Sequence, residues 1–347
     1  MRIGLIGLGR IGAFHAETLS KLPSVTSLVV TDAVPAAARA VAERLDVEIA
    51  DSPDKLLAAG VDGVVIAAAT DAHPDLLIAA ADAGLTVFCE KPVARTMSEG
   101  VAVAQRVAAT GVPVQIGYPR RFDAGFTAAR AAVANGELGW LHTVRSTTLD
   151  PAPAPPAYIA VSGGIFRDCS VHDFDAVRWV TGQEVVEVYA TGSDRGDPIF
   201  AESGDASSAA TVLTLSDRAL AVVSNTRYNP RGYDVRMELH GSVDSIAVGM
   251  DDKLPLRSVE PGVTFPRGEP YRFFMDRLAD AFRAELAAFT EVVAGNQATP
   301  CSIEDALETS WVAEAATLSL AEHRPVTIAE MRDRLTSRPI PSISTTE

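Results

Sequence analysis

The sequence has few cysteines, no run of basic residues and no long apolar segment. Its three cysteines, Cys89, Cys169 and Cys301, are odd in number and widely spaced, which argues against a disulfide framework and a CxxC metal site. Charged residues interrupt every apolar stretch well before the roughly 20 residues that a membrane-spanning helix needs. The first residues lead directly into a predicted strand, without the apolar region and cleavage site of a secretory signal. We therefore expect a cytoplasmic protein without a membrane segment.

The charge balance narrows the choice of partners. Acidic residues number 45 against 30 lysines and arginines, so the formal net charge is -15. A protein of this charge repels nucleic acid and anionic membranes, and a small molecule is the expected ligand. With 347 residues, of which 47% are hydrophobic, the chain is long enough for two globular domains.

Residues 1–120 alternate short apolar strands with helices. Strands are predicted at 2–6, 25–31, 47–49, 63–67, 86–89 and 114–117. The helices between them have recognisable starts, such as Pro35 in a first turn and the capping box of Thr96 with Glu99. This alternation predicts an α/β domain with a doubly wound parallel sheet that is covered on both faces.

The second half, residues 121–335, has a different pattern. Alternating segments predict strands at 144–149, 184–191, 207–215, 219–226, 233–240 and 244–248. Two helices are expected near residues 270–294 and 303–322, the second opened by Ser302 with Asp305. The polar residues 336–347 are expected to form a loose tail.

The glycine-rich segment GLGRIG at residues 7–12 follows the first strand and opens the first helix. A GxGxxG turn in this place lets a pyrophosphate approach backbone amides at a helix N-terminus. Asp32 ends the second strand, where a carboxylate can accept hydrogen bonds from ribose hydroxyls. Ala33 follows it, and no arginine stands there to hold a 2'-phosphate. The segment therefore predicts NAD as the cofactor.

A second motif, Asp168-x-x-x-His172, lies in a predicted helix with an apolar stripe of Phe174, Val177 and Val180. Side chains four residues apart project from one side of a helix, so the carboxylate can orient the imidazole as a general base. The alternative is a helix in which Asp168 caps the first turn and His172 is an ordinary histidine.

Two further segments are candidates for substrate contact. Lys91 follows a strand of the parallel sheet, at the edge where such sheets place their ligands, and its ammonium could stabilise alkoxide character. The proline-rich stretch 150–158 predicts a stiff active-site flap, with Asp150 and Tyr158 as contact residues; a plain surface loop is the alternative. Tyr233 is a similar candidate.

Seven segments together resemble the glucose-fructose oxidoreductase and inositol dehydrogenase (Gfo/Idh/MocA) family, and within it the inositol 2-dehydrogenases. They are GLGRIGAFHAE at 7–17, ATDAHPDLL at 69–77, FCEKP at 88–92, GYPRRFD at 117–123, DPAPAPPAYI at 150–159, GGIFRDCSVHDFD at 163–175 and NTRYNPRGYD at 225–234. The resemblance implies a Rossmann domain and a C-terminal α+β domain with a large open, mainly antiparallel sheet. It also implies a homotetramer that forms through this sheet.

The resemblance implies roles for individual residues as well. The catalytic residues would be Lys91, Asp168 and His172, of which Lys91 and His172 also contact the substrate. The cofactor site would consist of Gly7, Gly9, Arg10, Ile11, Gly12, Asp32, Thr70, His73 and Glu90. No metal is expected, because lysine and histidine supply the electrostatic assistance.

The sequence as a whole predicts an NAD-dependent dehydrogenase that oxidises a ring CH-OH of a cyclic polyol or sugar to a ketone. Two alternatives stay open at this point. One is a dehydrogenase of another sugar or glycoside position, and the other is a non-catalytic NAD-binding sensor on the same fold. The presence of Lys91, Asp168 and His172 together argues against the sensor, which needs none of them.

Overall fold

The computed structural model describes residues 1–337, and the chain forms two compact units. Unit 1 comprises residues 1–119 and 280–308, and unit 2 comprises residues 120–279 and the described residues from 309 onwards. The predicted loose tail, 336–347, lies outside the described residues except for Thr336 and Ser337. Within residues 1–337, no helix is both long and apolar enough to cross a bilayer.

Unit 1 contains a six-stranded parallel sheet. Its strands are β1 Arg2–Ile6, β2 Ser27–Thr31, β3 Glu48–Ile49, β4 Gly63–Ile66, β5 Thr86–Glu90 and β6 Val114–Gly117. The spatial order β3-β2-β1-β4-β5-β6 reverses direction between β1 and β4. This is the doubly wound order of dinucleotide-binding folds, in which ligands bind beyond the carboxyl ends of the strands at the reversal. The predicted parallel sheet is confirmed.

The helices that were predicted from the sequence begin close to their signals, and further helices accompany them in the described chain. They are α1 Arg10–Leu19, α2 Pro35–Leu45, α3 Pro53–Leu57, α4 His73–Asp82, α5 Met97–Ala108, α6 Ala124–Ala134, α7 Pro156–Ile159, α8 Val171–Thr181, α9 Ile199–Glu202, α10 Phe274–Arg277, α11 Ala279–Val293, α12 Ile303–Glu322 and α13 Ile328–Thr336. Thr96 accepts a hydrogen bond from the Glu99 amide at 3.3 Å, and Ser302 accepts one from Asp305 at 3.2 Å. These caps satisfy amides that have no partner within their helix.

The core of unit 1 lies between the parallel sheet and the helices that pack on it. Ile3 and Leu5 of β1, Leu28 of β2 and Phe88 of β5 pack in one cluster with the α11 side chain of Phe289. The rings of Phe88 and Phe289 meet edge to face at 5.8 Å. The late helix α11 therefore completes the core of the N-terminal sheet, although it is almost 200 residues away from β5 in sequence.

Unit 2 contains a seven-stranded mixed sheet in the order β12-β11-β7-β10-β9-β8-β13. Its strands are β7 Leu141–Leu149, β8 Val185–Ser193, β9 Ser208–Leu215, β10 Leu220–Thr226, β11 Asp234–Gly241, β12 Ser245–Val248 and β13 Val326–Thr327. Only β10 and β7 pair in parallel; the other neighbours are antiparallel. The expected open, mainly antiparallel sheet is confirmed.

The structure differs from the sequence-based expectation in several places, among them the unpredicted helices α6 and α9. The helix expected at 270–294 is divided, because Leu278 leaves helical geometry between α10 and α11. The helix with Asp168 starts as a π-helical turn, Phe166–Ser170, before α8. The sequence analysis also missed α13, although its Thr327 cap and Glu330 form a recognisable pair in which the Glu330 amide donates to Thr327 at 3.1 Å.

Candidate active site

The glycine turn of unit 1 lies directly beyond the carboxyl end of β1. Gly7 has φ +93°, and a side chain there would come within 2.5 Å of the Ala68 backbone, which follows β4. A side chain at Gly12 would overlap the Gly7 carbonyl oxygen. A side chain at Gly9, by contrast, would meet no described atom within 4 Å. Two of the glycines are thus required by the fold itself, and the third borders open space.

Asp32 lies at the end of β2 and braces the same turn. Its two carboxylate oxygens accept hydrogen bonds from the Leu8 amide at 2.6 Å and from the Val34 amide at 2.7 Å. A carboxylate has about four acceptor positions, so these bonds leave room for ribose hydroxyls. The structure therefore adds a second task for Asp32, because it links β2 to the backbone of the glycine turn.

The remaining predicted cofactor residues of unit 1 follow β4 and β5. Thr70 opens a 3-10 turn, Thr70–Ala72, ahead of α4. His73 is only 1% exposed, and its Nδ1 and Nε2 lie 2.7 Å from the Pro92 carbonyl and 3.1 Å from the Ala68 carbonyl. His73 thereby joins the loop after β4 to the loop that contains Lys91. Any contribution of this buried ring to cofactor binding would act through these two loops.

Glu90 is the last residue of β5 and precedes Lys91. Its Oε1 lies 2.7 Å from Nε2 of His15, a fully buried residue of α1 that the sequence analysis did not single out. The Nδ1 atom of His15 has no hydrogen-bond partner in the described part of the chain. An ionised carboxylate only accepts hydrogen bonds, so His15 donates from Nε2 and fixes the direction of Glu90. The motif at 7–17 contains His15, but its spacing does not predict this contact.

Three of the unit 2 candidates meet at one end of the mixed sheet. Asp168 accepts a hydrogen bond from the Tyr158 hydroxyl at 2.8 Å and one from Nη2 of Arg227 at 2.7 Å. Nη1 of the same arginine donates to Asp150 at 2.8 Å. The structure therefore brings Asp168 together with the two predicted flap residues, Asp150 and Tyr158, and it adds Arg227. His172 lies four residues beyond Asp168, in the first turn of α8.

The sequence analysis gave no role to Arg227, although it lies in the segment at 225–234. The side chain is buried, which works against its charged form, but the carboxylates of Asp168 and Asp150 outweigh burial and hold the pKa of Arg227 above its ordinary value. An arginine buried beside two carboxylates must stay charged, because a neutral side chain would leave both carboxylates without an opposite charge in a poorly solvated place. Only the fold reveals these partners.

A second buried network fixes the helix that carries His172. Asp173 is fully buried and accepts hydrogen bonds from Arg120 at 2.8 Å, Ser146 at 2.6 Å, Thr148 at 2.8 Å and Asn225 at 2.8 Å. These donors come from β7, from β10 and from the start of unit 2. The carboxylate is fully satisfied, and its partners set the rotation of α8 about its axis. No role for Asp173 was predicted from the sequence, in which it is simply an acidic residue directly after His172.

Tyr233, another predicted substrate residue, precedes β11 and is buried. Its ring packs edge to face against Phe274 at 6.4 Å. Burial raises the pKa of Tyr233 well above its ordinary value, so the hydroxyl stays neutral and can donate a hydrogen bond. Burial likewise raises the pKa of the Cys169 thiol, which lies beside this cluster and stays protonated.

The residues of unit 1 fit a bound dinucleotide. The N-cap of α1 is Gly9, which offers no side-chain cap, and the first turn of this helix contains no acidic residue. The first amides and the positive end of the helix dipole therefore face the open space beside Gly9, as a pyrophosphate requires. Asp32 follows β2 directly and is bonded to the same turn. Among residues 1–337, no group of three or more His, Cys, Asp or Glu side chains could hold a metal ion.

Comparisons with known proteins extend these observations. The model of an oxidoreductase family with an NAD-binding Rossmann fold matches residues 1–118, and the GFO/IDH/MocA C-terminal domain matches residues 126–247. The inositol 2-dehydrogenase of Rhizobium meliloti is 36% identical over 330 residues, 95% of this chain and 99% of that protein. The myo-inositol 2-dehydrogenase of Thermotoga maritima is 38% identical over 335 residues, 95% and 99% of the two chains.

A solved structure is similar over the same span. The scyllo-inositol dehydrogenase of Lactobacillus casei, with bound NAD(H) and scyllo-inositol, has a TM-score of 0.85 and 28% identity, and the match covers 95% of this chain and 99% of that one. The fold and the glycine turn thus define an NAD-dependent oxidoreductase. The chain belongs to the GFO/IDH/MocA family of oxidoreductases.

Proposed function

We propose that the protein oxidises a ring secondary alcohol of a cyclic polyol or sugar to a ketone with NAD, as an inositol 2-dehydrogenase-like enzyme. One observation carries the proposal: Asp168, oriented by Arg227 and Tyr158, lies one helical turn before His172. A non-catalytic sensor has no need of an oriented carboxylate beside a histidine. The relatives named as inositol dehydrogenases support a polyol as the substrate.

Each proposed catalytic residue has a distinct task. His172 takes the proton from the hydroxyl, and Asp168 stabilises the imidazolium that forms. The hydrogen bonds from Arg227 and Tyr158 favour the ionised form of Asp168, which this task requires. Lys91 donates a hydrogen bond to the oxygen that loses the proton. Bound NAD would accept the hydride from the ring carbon.

Each unit contributes its own residues to the proposed contacts. Gly7, Gly9 and Gly12, with Arg10 and Ile11, cradle the pyrophosphate, and Asp32 accepts from the ribose. Thr70, His73 and Glu90 shape the loops that hold the nicotinamide half. Asp150, Tyr158 and Tyr233 contact the polyol, and their acceptor and donor groups match the hydroxyls of such a ring.

A substrate screen tests the function directly. Purified protein would be mixed with NAD and, in turn, inositol isomers, pentoses, hexoses and glycosides, and NADH formation would be followed by absorbance. We expect the highest kcat/KM with a cyclic polyol. A higher value with a glycoside would favour the alternative ring position. NAD binding without turnover on any member would overturn the enzymatic proposal and favour the sensor.

The outer face of the second sheet supports a homotetramer. Tyr189, Val212 and Val222 are directly opposite one another on β8, β9 and β10, and all three are exposed, as is Leu220. A continuous apolar row is unusual on the surface of a monomer. We expect a mass near four chains by light scattering at micromolar concentration, and a smaller species for Val212→Asp. A monodisperse wild-type monomer would reject the assembly.

The domain roles and the location belong to the same proposal. Residues 1–120 would form the NAD-binding domain, residues 121–335 the substrate-binding and oligomerisation domain, and residues 336–347 a tail. A cytoplasmic location agrees with the three free, buried cysteines, since thiols persist in a reducing compartment.

A further inference from the structure

Arg227 forms the centre of the unit 2 cluster. It follows β10, is 6% exposed, and binds Asp150 through Nη1 and Asp168 through Nη2. Asp150 comes directly after β7, and Asp168 lies in the π-helical turn before α8. One guanidinium therefore connects two carboxylates that lie 18 residues apart in sequence and on different elements.

The backbone around this arginine is also fixed. The Arg227 amide donates to the Ser207 carbonyl at 2.8 Å, and the Asp150 amide donates to the Thr226 carbonyl at 2.9 Å. The Asn229 amide donates to the Asp150 carbonyl at 2.7 Å. Both ends of the Arg227–Asp150 pair are therefore held by the main chain. The guanidinium is thereby preorganised to receive Asp168 in one orientation.

We propose that Arg227 is a positioning residue of the polyol site: it holds the carboxylates of Asp150 and Asp168 in one arrangement and sets how readily His172 takes up a proton. The inference rests on the proposed role of His172 as the base. Arginine suits this task because its planar fork reaches two carboxylates at once, whereas a lysine ammonium is a point charge on a flexible stem.

The direction in which Arg227 changes the proton affinity of His172 follows from the charges around Asp168. The titratable and charged groups close to Asp168 are Arg227, Asp150, Tyr158, Cys169 and Asp173, with Tyr233 and Arg120 beside them. His172 lies four residues further along the chain, in the first turn of α8. Asp168 and Asp150 favour the imidazolium form of His172, and Arg227 opposes it. Removal of the Arg227 charge should therefore make His172 a stronger base, so that it stays protonated to higher pH.

The test compares Arg227→Gln and Arg227→Lys with the wild type. The pH dependence of kcat/KM would be measured with NAD and myo-inositol or scyllo-inositol. The His172 resonance, assigned through its loss in His172→Gln, would be titrated by NMR in the cofactor-free protein. For Arg227→Gln we expect both midpoints to rise by about one pH unit, a tenfold change in proton affinity. Arg227→Lys should keep both midpoints, because it retains the positive charge. It should lower kcat about tenfold, because a lysine ammonium holds only one carboxylate at a time.

Arg178→Gln is the matched control. Arg178 is also 6% exposed and also bridges two partners, Glu184 and Thr309, but it lies in the last turn of α8. Its loss should lower the thermal unfolding temperature and leave both midpoints in place. Midpoints that move no further in Arg227→Gln than in Arg178→Gln would overturn the inference and leave Arg227 a purely structural residue.

The design separates this inference from the proposed function. A wild type without activity on any polyol would reject the function, while the NMR midpoints would still decide the effect of Arg227 on His172. If Arg227→Gln does not fold, Asp150→Asn is measured in its place, because asparagine has nearly the same shape as aspartate. Loss of that negative charge should move the His172 midpoint down, opposite to Arg227→Gln, and an unmoved or raised midpoint would overturn the inference.

Discussion

The glycine turn of unit 1 and the Arg227 cluster of unit 2 are built in different ways. The turn is made by one short segment, residues 7–12, with Asp32 bonded to its backbone. The cluster draws Asp150 and Tyr158, Asp168, and Arg227 from three separate segments. The turn offers main-chain amides and a helix end, whereas the cluster offers side-chain charges. The proposed NAD site is thus built by local backbone geometry, and the proposed substrate site by side chains that the fold assembles.

The largest expected effect concerns His172, the proposed base of unit 2. Replacement of His172 by Ala should reduce turnover by about a hundred to ten thousand-fold, because a positioned general base is lost. The rising limb of the pH profile in the oxidative direction should disappear as well. Steady-state kinetics between pH 5 and 10 would measure both.

His142→Ala, an exposed histidine of β7, serves as the control for that variant. It should keep the wild-type pH profile. NAD affinity and the unfolding temperature should change little in either protein. Near-normal turnover in His172→Ala would show that the unit 2 cluster does not perform proton transfer.

The second effect separates the two kinds of glycine in the turn. Gly9→Ala places its methyl group in open space, so it should keep the unfolding temperature and weaken NAD binding tenfold or more. Gly12→Ala overlaps the Gly7 carbonyl, so it should also lose about 1–3 kcal/mol of stability. Calorimetric titration with NAD and thermal unfolding would distinguish them. Unchanged NAD affinity in Gly9→Ala would place the pyrophosphate elsewhere.

A third and smaller effect concerns cofactor choice. Asp32 would repel a 2'-phosphate, and the wild type should prefer NAD to NADP by about tenfold or more in kcat/KM, about 1.4 kcal/mol. The double change Asp32→Ala with Ala33→Arg should relax or invert that ratio. It should also lower stability, since Asp32 accepts from the Leu8 and Val34 amides. Equal use of both cofactors by the wild type would contradict the role of Asp32.

The smallest effect concerns the flap residue of the cluster. Tyr158 is 45% exposed and donates a single hydrogen bond to Asp168. Tyr158→Phe removes this bond and leaves Arg227 in place, so kcat/KM should fall only about three- to tenfold. Tyr228→Phe, which changes a hydroxyl bonded to the Asp197 amide, provides a comparison in the same unit. An equal loss in both variants would remove Tyr158 from the proposed site.

Much of the first unit could be predicted from residue patterns. Apolar strands that alternate with helices can be covered only as a parallel sheet, and caps such as Thr96 mark where a helix starts. The second sheet was predicted less completely. The parallel pair of β7 with β10 and the two-residue strand β13 depend on partners far away in sequence, and no local pattern encodes them.

The sequence by itself determined the elements whose cause is local: the strand period, the helix caps, and a glycine turn in which side chains at positions 7 and 12 would collide with nearby backbone. It also named Lys91, Asp168 and His172 as candidates. Only the tertiary structure decided which groups meet, such as Arg227 with Asp150 and Asp168, or His15 with Glu90. The physical reason is that a buried charge needs an opposite charge or hydrogen bond close by, and that partner is chosen by strand order and helix packing.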